Sequence, residues 1–430
     1  MDPLRPAKSK ASKLSSLPVE HRRILYLVGA ALLVNHFDLG IFSLALPQIQ
    51  AELKIPESQL GLVVGLLRLG VLAAFLLGFA ADLVGRRTIL MVTIVGTTIG
   101  TLLTAFVQNQ WQFFGLQVLV RCFSYAEEMV CFVMIVETVS ADRRGWAMGR
   151  LSALGALGTG IAAMLYSHVK DLPHGWRDLY LIGGLGLILL VLARQGLKES
   201  ERFETLKAAR KGVSTTLANR LSPMLALVRE NPGRFLALIA VTVPYTLGMA
   251  AGIAFVSKHL QETHHISPAK VAILYIVAGA ISFWGYVFAG RLADIIGRRF
   301  MLMISMPGAA LLYAALYLAT DPWVAMGVWI PGLFLMFSSE MTLSMLGSEL
   351  FPTRYRATAA SARVVIMVFA GMIGLAAESW VYGMTGSLPQ AVVILLCLTP
   401  LSLLALFFVP ETARKELEAI GPDIAATLDI

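Results

Sequence analysis

The feature that most constrains this chain is the recurrence, along its whole length, of apolar runs about 20 residues long. A helix rises about 1.5 Å per residue, so each run is long enough to cross a hydrocarbon core roughly 30 Å thick. Twelve can be traced, beginning near Ile24, Ser58, Thr88, Trp111, Ala147, Leu179, Phe235, Ser267, Phe300, Trp323, Thr358 and Gln390. Only 14% of the residues are charged and the mean hydropathy is +0.73, against about 25% charge in an average soluble domain. A water-soluble fold cannot hide that much apolar surface, and the expected class is an all-α membrane protein of twelve transmembrane helices. The first run, Ile24 to Leu46, exceeds the apolar stretch of a signal peptide and leads into Pro47 rather than a small-residue cleavage site, so it should persist as a helix. Cys122, Cys131 and Cys397 all lie within apolar runs, which suggests neither a disulfide framework nor a zinc site.

The formal net charge of +8 is distributed in a way that points to a membrane rather than to nucleic acid. With the amino terminus in the cytoplasm, only Lys54, Lys170, Arg177, Lys258 and Lys270 fall on the outer side, and Arg68, Arg121 and Arg363 fall within runs. The other basic residues lie inside, as the positive-inside rule requires, which places both termini in the cytoplasm of a multi-pass inner-membrane protein. The basic segment 1–23 then lies beside anionic lipid headgroups.

Self-comparison at a shift of 212 residues superposes four separate places without a gap. The loop Gly78-Phe-Ala-Ala-Asp82-Leu-Val-Gly85-Arg86-Arg87 lies over Gly290-Arg-Leu-Ala-Asp294-Ile-Ile-Gly297-Arg298-Arg299. The same shift puts Glu137 on Glu349, Arg144 on Arg356, Glu128 on Glu340, and Glu199 on Glu411. The chain therefore divides into a basic segment 1–23, a six-helix bundle 24–195, a linker 196–233, a second six-helix bundle 234–409 and a tail 410–430.

With its paired Gly-x-x-x-Asp-x-x-Gly-Arg-Arg loops, the motifs Glu137-Thr-Val-Ser-Ala-Asp-Arg-Arg144 and Glu349-Leu-Phe-Pro-Thr-Arg-Tyr-Arg356, and Pro410-Glu411-Thr, the sequence resembles the major facilitator superfamily. These motifs are similar to those of the sugar-porter and metabolite:proton symporter branches. That resemblance implies two bundles that rock about a central cavity, with the solute near the bilayer midplane. Gly85 and Gly297 permit tight turns at the membrane surface. Asp82 and Asp294 are expected to pair with arginines of neighbouring segments, Arg144 or Arg150 in one half and Arg356 in the other. Glu137, Glu349, Glu199 and Glu411 would complete these networks, which would latch the cytoplasmic side in the outward-open state. The plainer alternative is that the arginines only orient the helices.

Ionisable groups inside a bilayer cost roughly 2.5 to 3.5 kcal/mol each and should face a cavity or a partner. Segment 1 carries Asn35, His36 and Asp38; segment 2, Arg68; segment 4, Arg121, Tyr125, Glu127 and Glu128; segment 10, Glu340; segment 11, Arg363 and Glu378. Asp38 lies about eight residues and Arg121 about ten from the outer ends of their helices, so they share a depth and form a candidate ion pair. The family resemblance implies a proton-coupling role for an acid on helix 1 and an arginine on helix 4, with a static neutral pair as the alternative. At 100° per residue Arg121, Tyr125 and Glu128 form one stripe and Glu127 is turned away. Glu128 and its repeat partner Glu340 are expected to face the solute, unless each pairs with an arginine such as Arg68. Asn35, Phe37, Tyr245 and Trp284 are assigned to the same cavity.

The expectation is a proton-coupled symporter of a small polar metabolite, a sugar or an organic acid. A facilitative uniporter, an exporter of organic cations or drugs, and a non-transporting membrane sensor are the alternatives. The glycine run of segment 5 lacks the proline of drug:proton antiporters, which weighs against the exporter. Neither a nucleotide loop nor a nucleophile constellation argues for an enzyme, no cofactor or metal is implied, and a monomer in the lipid bilayer is expected. The outer-loop residues His259, Glu262, His264 and His265 are a weak metal-binding alternative.

Overall fold

A computed structural model describes residues 19–138, 144–194 and 217–413. The described residues form helices and no strands. The first half consists of α1 (Val19–Leu53), α2 (Glu57–Leu66), α3 (Leu69–Val84), α4 (Arg86–Thr104), α5 (Gln110–Thr138), α6 (Arg144–Tyr166) and α7 (Trp176–Arg194). Helix α8 (Leu217–Glu230) leads into the second half. There follow α9 (Pro232–Ala254), α10 (Val256–Glu262), α11 (Pro268–Ile296), α12 (Arg298–Leu318), α13 (Pro322–Glu349), α14 (Arg356–Thr385), α15 (Leu388–Leu396) and α16 (Leu401–Leu406). The pairs α2/α3, α9/α10 and α15/α16 each make one crossing, so twelve passages arise in two sets of six, each starting within a few residues of its apolar run.

Ten passages qualify as membrane spans on length and composition among the described residues. The other two are α5, interrupted by Arg121, Glu127 and Glu128, and α6, diluted by glycine, alanine and serine. Both hold their place because neighbouring helices cover their polar faces, α3 and α4 for α5 and α1 for α6. Large apolar side chains such as Leu76, Leu189, Leu311 and Trp380 are more than half exposed, as expected where lipid replaces water.

The repeated loop has the same backbone geometry in both halves. Gly85 ends α3 and starts α4 at φ 121°, and Gly297 does the same between α11 and α12 at φ 101°. Each N–H closes the preceding helix, onto the Ala81 and Ala293 carbonyls at 3.1 Å. Side-chain-bearing residues are strained at these angles, so only glycine makes this reversal at low cost.

Three passages depart from regular helix. Around Leu67 and Arg68 the bonds shorten to the i−3 pattern, with the Arg68 N–H on the Gly65 carbonyl at 3.0 Å, which places Arg68 at a joint in the wall. Pro244 removes one helix bond within α9. Pro400 lies in the break between α15 and α16.

The halves touch through α2 on α14, α6 on α11 and α1 on α10. At the end opposite the glycine turns they are tied by polar bonds as well. Gln48 Nε2 donates to Gln261 Oε1 at 2.7 Å, Ser257 Oγ donates to the Leu44 carbonyl at 2.8 Å, and Lys258 pairs with Glu57 at 2.6 Å.

Candidate functional site

A cavity of about 410 Å³ lies between the halves at mid-depth. The first half contributes Phe42 from α1, Arg68 from the α2/α3 joint, and Arg121 and Tyr125 from α5; the second contributes Ile253 and Arg363. Most of the remaining wall is aliphatic, including Leu39, Val64, Val71, Val364 and Leu375. Another hollow of about 500 Å³ belongs to the first half alone, near Glu52, Trp176 and Arg177. Its Glu52 carboxylate already accepts from Trp176 Nε1 at 2.5 Å and Arg177 Nε at 2.8 Å, so it makes little demand for a ligand.

The cavity's charges are unequally satisfied. Arg363 pairs with Glu340 at 3.4 Å and also approaches the Met367 sulfur. Arg121 lies over the Phe42 ring, 4.8 Å from its centroid, and its Nε is buried without a hydrogen-bond partner. Arg68 abuts α14 so closely that a Cβ on Gly371 would meet its guanidinium at 2.4 Å. Neither Arg68 nor Arg121 forms an ion pair within 4.0 Å among the described residues. Among the described residues neither guanidinium has a carboxylate in contact, although Glu340 acts on Arg68 and Asp38 on Arg121 through space, and two such groups on a mostly apolar hollow are suited to a bound anion.

The expected Asp38–Arg121 contact is not made. Asp38 is 4% exposed and accepts from Thr101 Oγ1 of α4 at 3.3 Å, with no ion pair to Arg121 within 4.0 Å. The Arg121 charge still acts on it through space. Asn35 donates to the Ser124 carbonyl of α5 at 3.4 Å.

Several expected cavity residues lie elsewhere. Phe37 packs against Gly183 of α7, and Phe42, nearly a turn and a half further along α1, faces the cavity instead. Trp284 is 53% exposed on the outer face of α11, where it stacks with Phe288 at 5.8 Å. Tyr245 is buried beside the cavity rather than lining it. Glu128 is half-buried near His36, and Glu340 binds Arg363 at the cavity wall while its charge also acts on Arg68 through space.

A second buried ion pair, not expected from the sequence, joins α5 to α7. Glu127, on the face of α5 turned away from Arg121, meets Arg194 at the end of α7 at 2.5 Å with both side chains fully buried. Arg194 also donates to the Leu27 carbonyl at 3.2 Å and approaches the Cys131 sulfur at 3.8 Å. The signal was present: an acid off the polar stripe of a membrane helix needs its own cation.

At the glycine-turn end of the second half, Arg298 binds Asp294 at 2.6 Å and Glu349 at 3.1 Å. Thr412 Oγ1 donates to Glu349 at 2.6 Å. Asp294 therefore joins Arg298 of its own turn and not Arg356, whose Nε and Nη2 are buried without hydrogen-bond partners. Glu411 accepts from the backbone N–H groups of Arg298, Arg299, Thr412 and Ala413 at 2.9 to 3.0 Å. Burial raises its carboxyl pKa, but these four donors outweigh burial and hold it below the usual range. Arg86 and Arg87 open α4, and Gly78 and Gly290 lie six residues before the ends of α3 and α11. The side chains of Asp82, Glu137 and Arg144, and all of Glu199, lie outside the described residues. Among the described residues no group of three or more His, Cys, Asp or Glu side chains could hold a metal; His259 instead bonds the Leu316 carbonyl at 3.2 Å.

Two six-helix halves enclosing a charged central cavity define the architecture of a multi-pass membrane transporter. Residues 28–375 match the Major Facilitator Superfamily, and the chain belongs to that family. Among its relatives is a Bacillus subtilis protein named provisionally as the niacin/nicotinamide transporter NiaP, 24% identical over 83% of this chain and 88% of its own length. A second, from Cupriavidus pinatubonensis and named, also provisionally, for 4-methylmuconolactone transport, is 26% identical over 76% of this chain and 75% of its own. The crystal structure of a D-xylose-proton symporter shares the fold, with a TM-score of 0.72 at 17% identity over 92% of this chain and 98% of that one.

Proposed function

We propose that this protein is a proton-coupled symporter of a small organic carboxylate, working by alternating access between its two halves. The observation that carries the reading is the pair of guanidinium groups, Arg68 and Arg121, on a mostly apolar wall without a carboxylate in contact among the described residues. Such a site recognises a carboxylate with an apolar body better than it recognises a sugar, whose hydroxyls would meet few partners here. Niacin and 4-methylmuconolactone, for which two relatives are named, both bear carboxyl groups, and the first of those relatives is named for the neutral nicotinamide as well.

Asp38 supplies the coupling. It is buried in the membrane interior with one hydroxyl partner and lies within the electrostatic reach of Arg121. In this mechanism the arriving carboxylate engages Arg121 and weakens its hold on Asp38, which then takes up a proton. Solute and proton load together, so the loaded cavity gains little net charge before the halves rock. The distribution of basic residues puts the glycine turns and both termini in the cytoplasm of the inner membrane. With Gln48, Gln261, Lys258 and Glu57 tying the opposite end, this reading takes the state as inward-facing and a single copy of the chain as the whole pathway.

Uptake into proteoliposomes tests this. Carboxylates such as nicotinate and muconate should accumulate against their gradient when the outside is acidified, and Asp38→Asn should retain counterflow while losing accumulation. Uptake of a neutral sugar that no carboxylate competes with would defeat the substrate assignment; accumulation by Asp38→Asn at the wild-type level would defeat the coupling.

A further inference from the structure

Two positions related by the internal repeat face the closed end of the molecule with opposite degrees of satisfaction. Tyr166 on α6 and Glu378 on α14 lie 212 residues apart, the spacing of the repeat. The Tyr166 hydroxyl lies 2.9 Å from Gln48 Oε1 and 3.0 Å from Gln261 Oε1, and Gln261 Nε2 donates on to Ser257 Oγ at 2.8 Å. That side of the closure is neutral and fully bonded. Glu378 is 1% exposed, and neither of its carboxyl oxygens has a hydrogen-bond partner among the described residues.

The burial of Glu378 is created by contact between the halves. Gly61 of α2 lies so close that a Cβ there would stand 2.2 Å from Glu378 Oε2 and 2.3 Å from the Leu375 carbonyl. The Leu62 N–H, donating to Ser379 Oγ at 2.9 Å, pins the same two helices together. The charged and titratable groups around Glu378 are Glu57 from α2, Lys258 from α10 and Tyr317 from α12. Lys258, the cation of this group, is taken: it binds Glu57 at 2.6 Å and Glu262 as well. An ionised Glu378 would sit in a dry contact with no donor and with another carboxylate nearby, an arrangement proteins avoid.

We propose that Glu378 is a proton-binding site built into the contact between α2 and α14, loaded while that end is closed and emptied when the helices part. The inference rests on the alternating-access reading above. On closure, a proton from the bulk facing that end forms an O–H bond with one Glu378 oxygen, leaving the hydronium that carried it as water; on opening, the O–H bond breaks and the proton returns to the same bulk phase. It does not cross the membrane. It sets how acidity on that side biases the two states, whereas the cavity sets coupling to the solute. With one proton taken up per closure, the closed-to-open ratio rises by up to about tenfold for each unit fall in pH.

Distance measurements between nitroxide labels at exposed Lys170 and Thr320, one in each half at this end, test the proposal on the full chain in nanodiscs without substrate. In the wild type, the short-distance population should grow as the pH falls from about 8.5 to about 5.5. Glu378→Gln, which mimics the protonated acid, should stay closed across the range. His259→Asn combined with His264→Asn, which removes the imidazoles packed beyond Tyr317, should leave the shift in place. An infrared difference spectrum between the two pH values should contain a protonated-carboxyl band that Glu378→Gln lacks, and this gives a second readout if that variant folds poorly. A wild-type pH shift retained by Glu378→Gln, or a band that persists in it, would overturn the assignment. Distances that respond to a carboxylate substrate but not to pH would sink this site alone; distances fixed under every condition would sink alternating access itself.

Discussion

In the first half the membrane interior holds Asp38, Arg68 and Arg121; 212 residues further on, the second half has Ala250, Ala280 and Leu333. The glycine turns do not diverge in this way, for Gly85 and Gly297 keep the same left-handed geometry and the same bond to the preceding alanine carbonyl. The difference lies in what each position must satisfy. A reversal between two helices needs a particular backbone angle wherever it occurs, so both copies need glycine. A cavity wall needs only to complement what binds, and a solute charged at one end needs charge on one wall. The second half's own cavity charges, Arg363 and Glu340, neutralise each other, so net positive charge is left on the first half's wall.

The comparison is sharpened most by removing one member of each half's buried pair. Glu127→Ala strands Arg194 in a fully buried site and should cost about 3–5 kcal/mol, read as a large fall in thermal stability. Glu340→Ala leaves Arg363 on the cavity, with access to water, and should cost about 1 kcal/mol or less. Equal losses in the two variants would contradict the contrast drawn here. Next come the cavity arginines. Arg68→Gln or Arg121→Gln should each remove a charge-assisted contact of about 1.5–3 kcal/mol, a 10- to 100-fold loss of carboxylate affinity in a binding titration. The double variant Glu340→Gln with Arg363→Gln, which removes a neutralised pair, should change affinity by less than about threefold.

Smaller effects are expected at the turns and on the lipid face. Glu411→Gln weakens the cap on the second glycine turn and should cost about 1 kcal/mol at neutral pH, allowing for solvent screening. The Glu411 carboxyl is held below its ordinary pKa, so its contribution is complete above the unfolded-state value and is lost as pH falls through the folded-state value. The stability gap between Glu411→Gln and wild type should therefore close on acidification; a gap that widened would reverse the assignment. Trp284→Ala, on the lipid-facing side of α11, should leave substrate affinity unchanged within about 0.5 kcal/mol.

How far the sequence reaches is visible in individual residues. Run length and the 212-residue repeat disclose the twelve passages and both glycine turns, because those follow from hydrocarbon thickness and local backbone sterics. Arg68, Arg121 and Tyr125 are legible too, since charge in a membrane helix must face something other than lipid. Helical periodicity says which residues share a face and not which neighbour that face meets. Periodicity alone therefore points to Phe37 where Phe42 lines the cavity, and to an inward Trp284 although that ring faces outward. Arg194 looked like the start of a charged linker, and only the packing of α7 on α1 and α4 carries it to Glu127. Glu378 could be assigned to its helix, but its isolation depends on Gly61 of the other half.

The most direct test of the central claim compares nicotinate with nicotinamide, which share a ring and differ in one charge, by equilibrium titration of the purified protein. The account predicts that the carboxylate binds at least about tenfold more tightly than the amide, and that Arg68→Gln and Arg121→Gln each shrink this margin. Equal affinity for the two ligands, unchanged in both arginine variants, would contradict it.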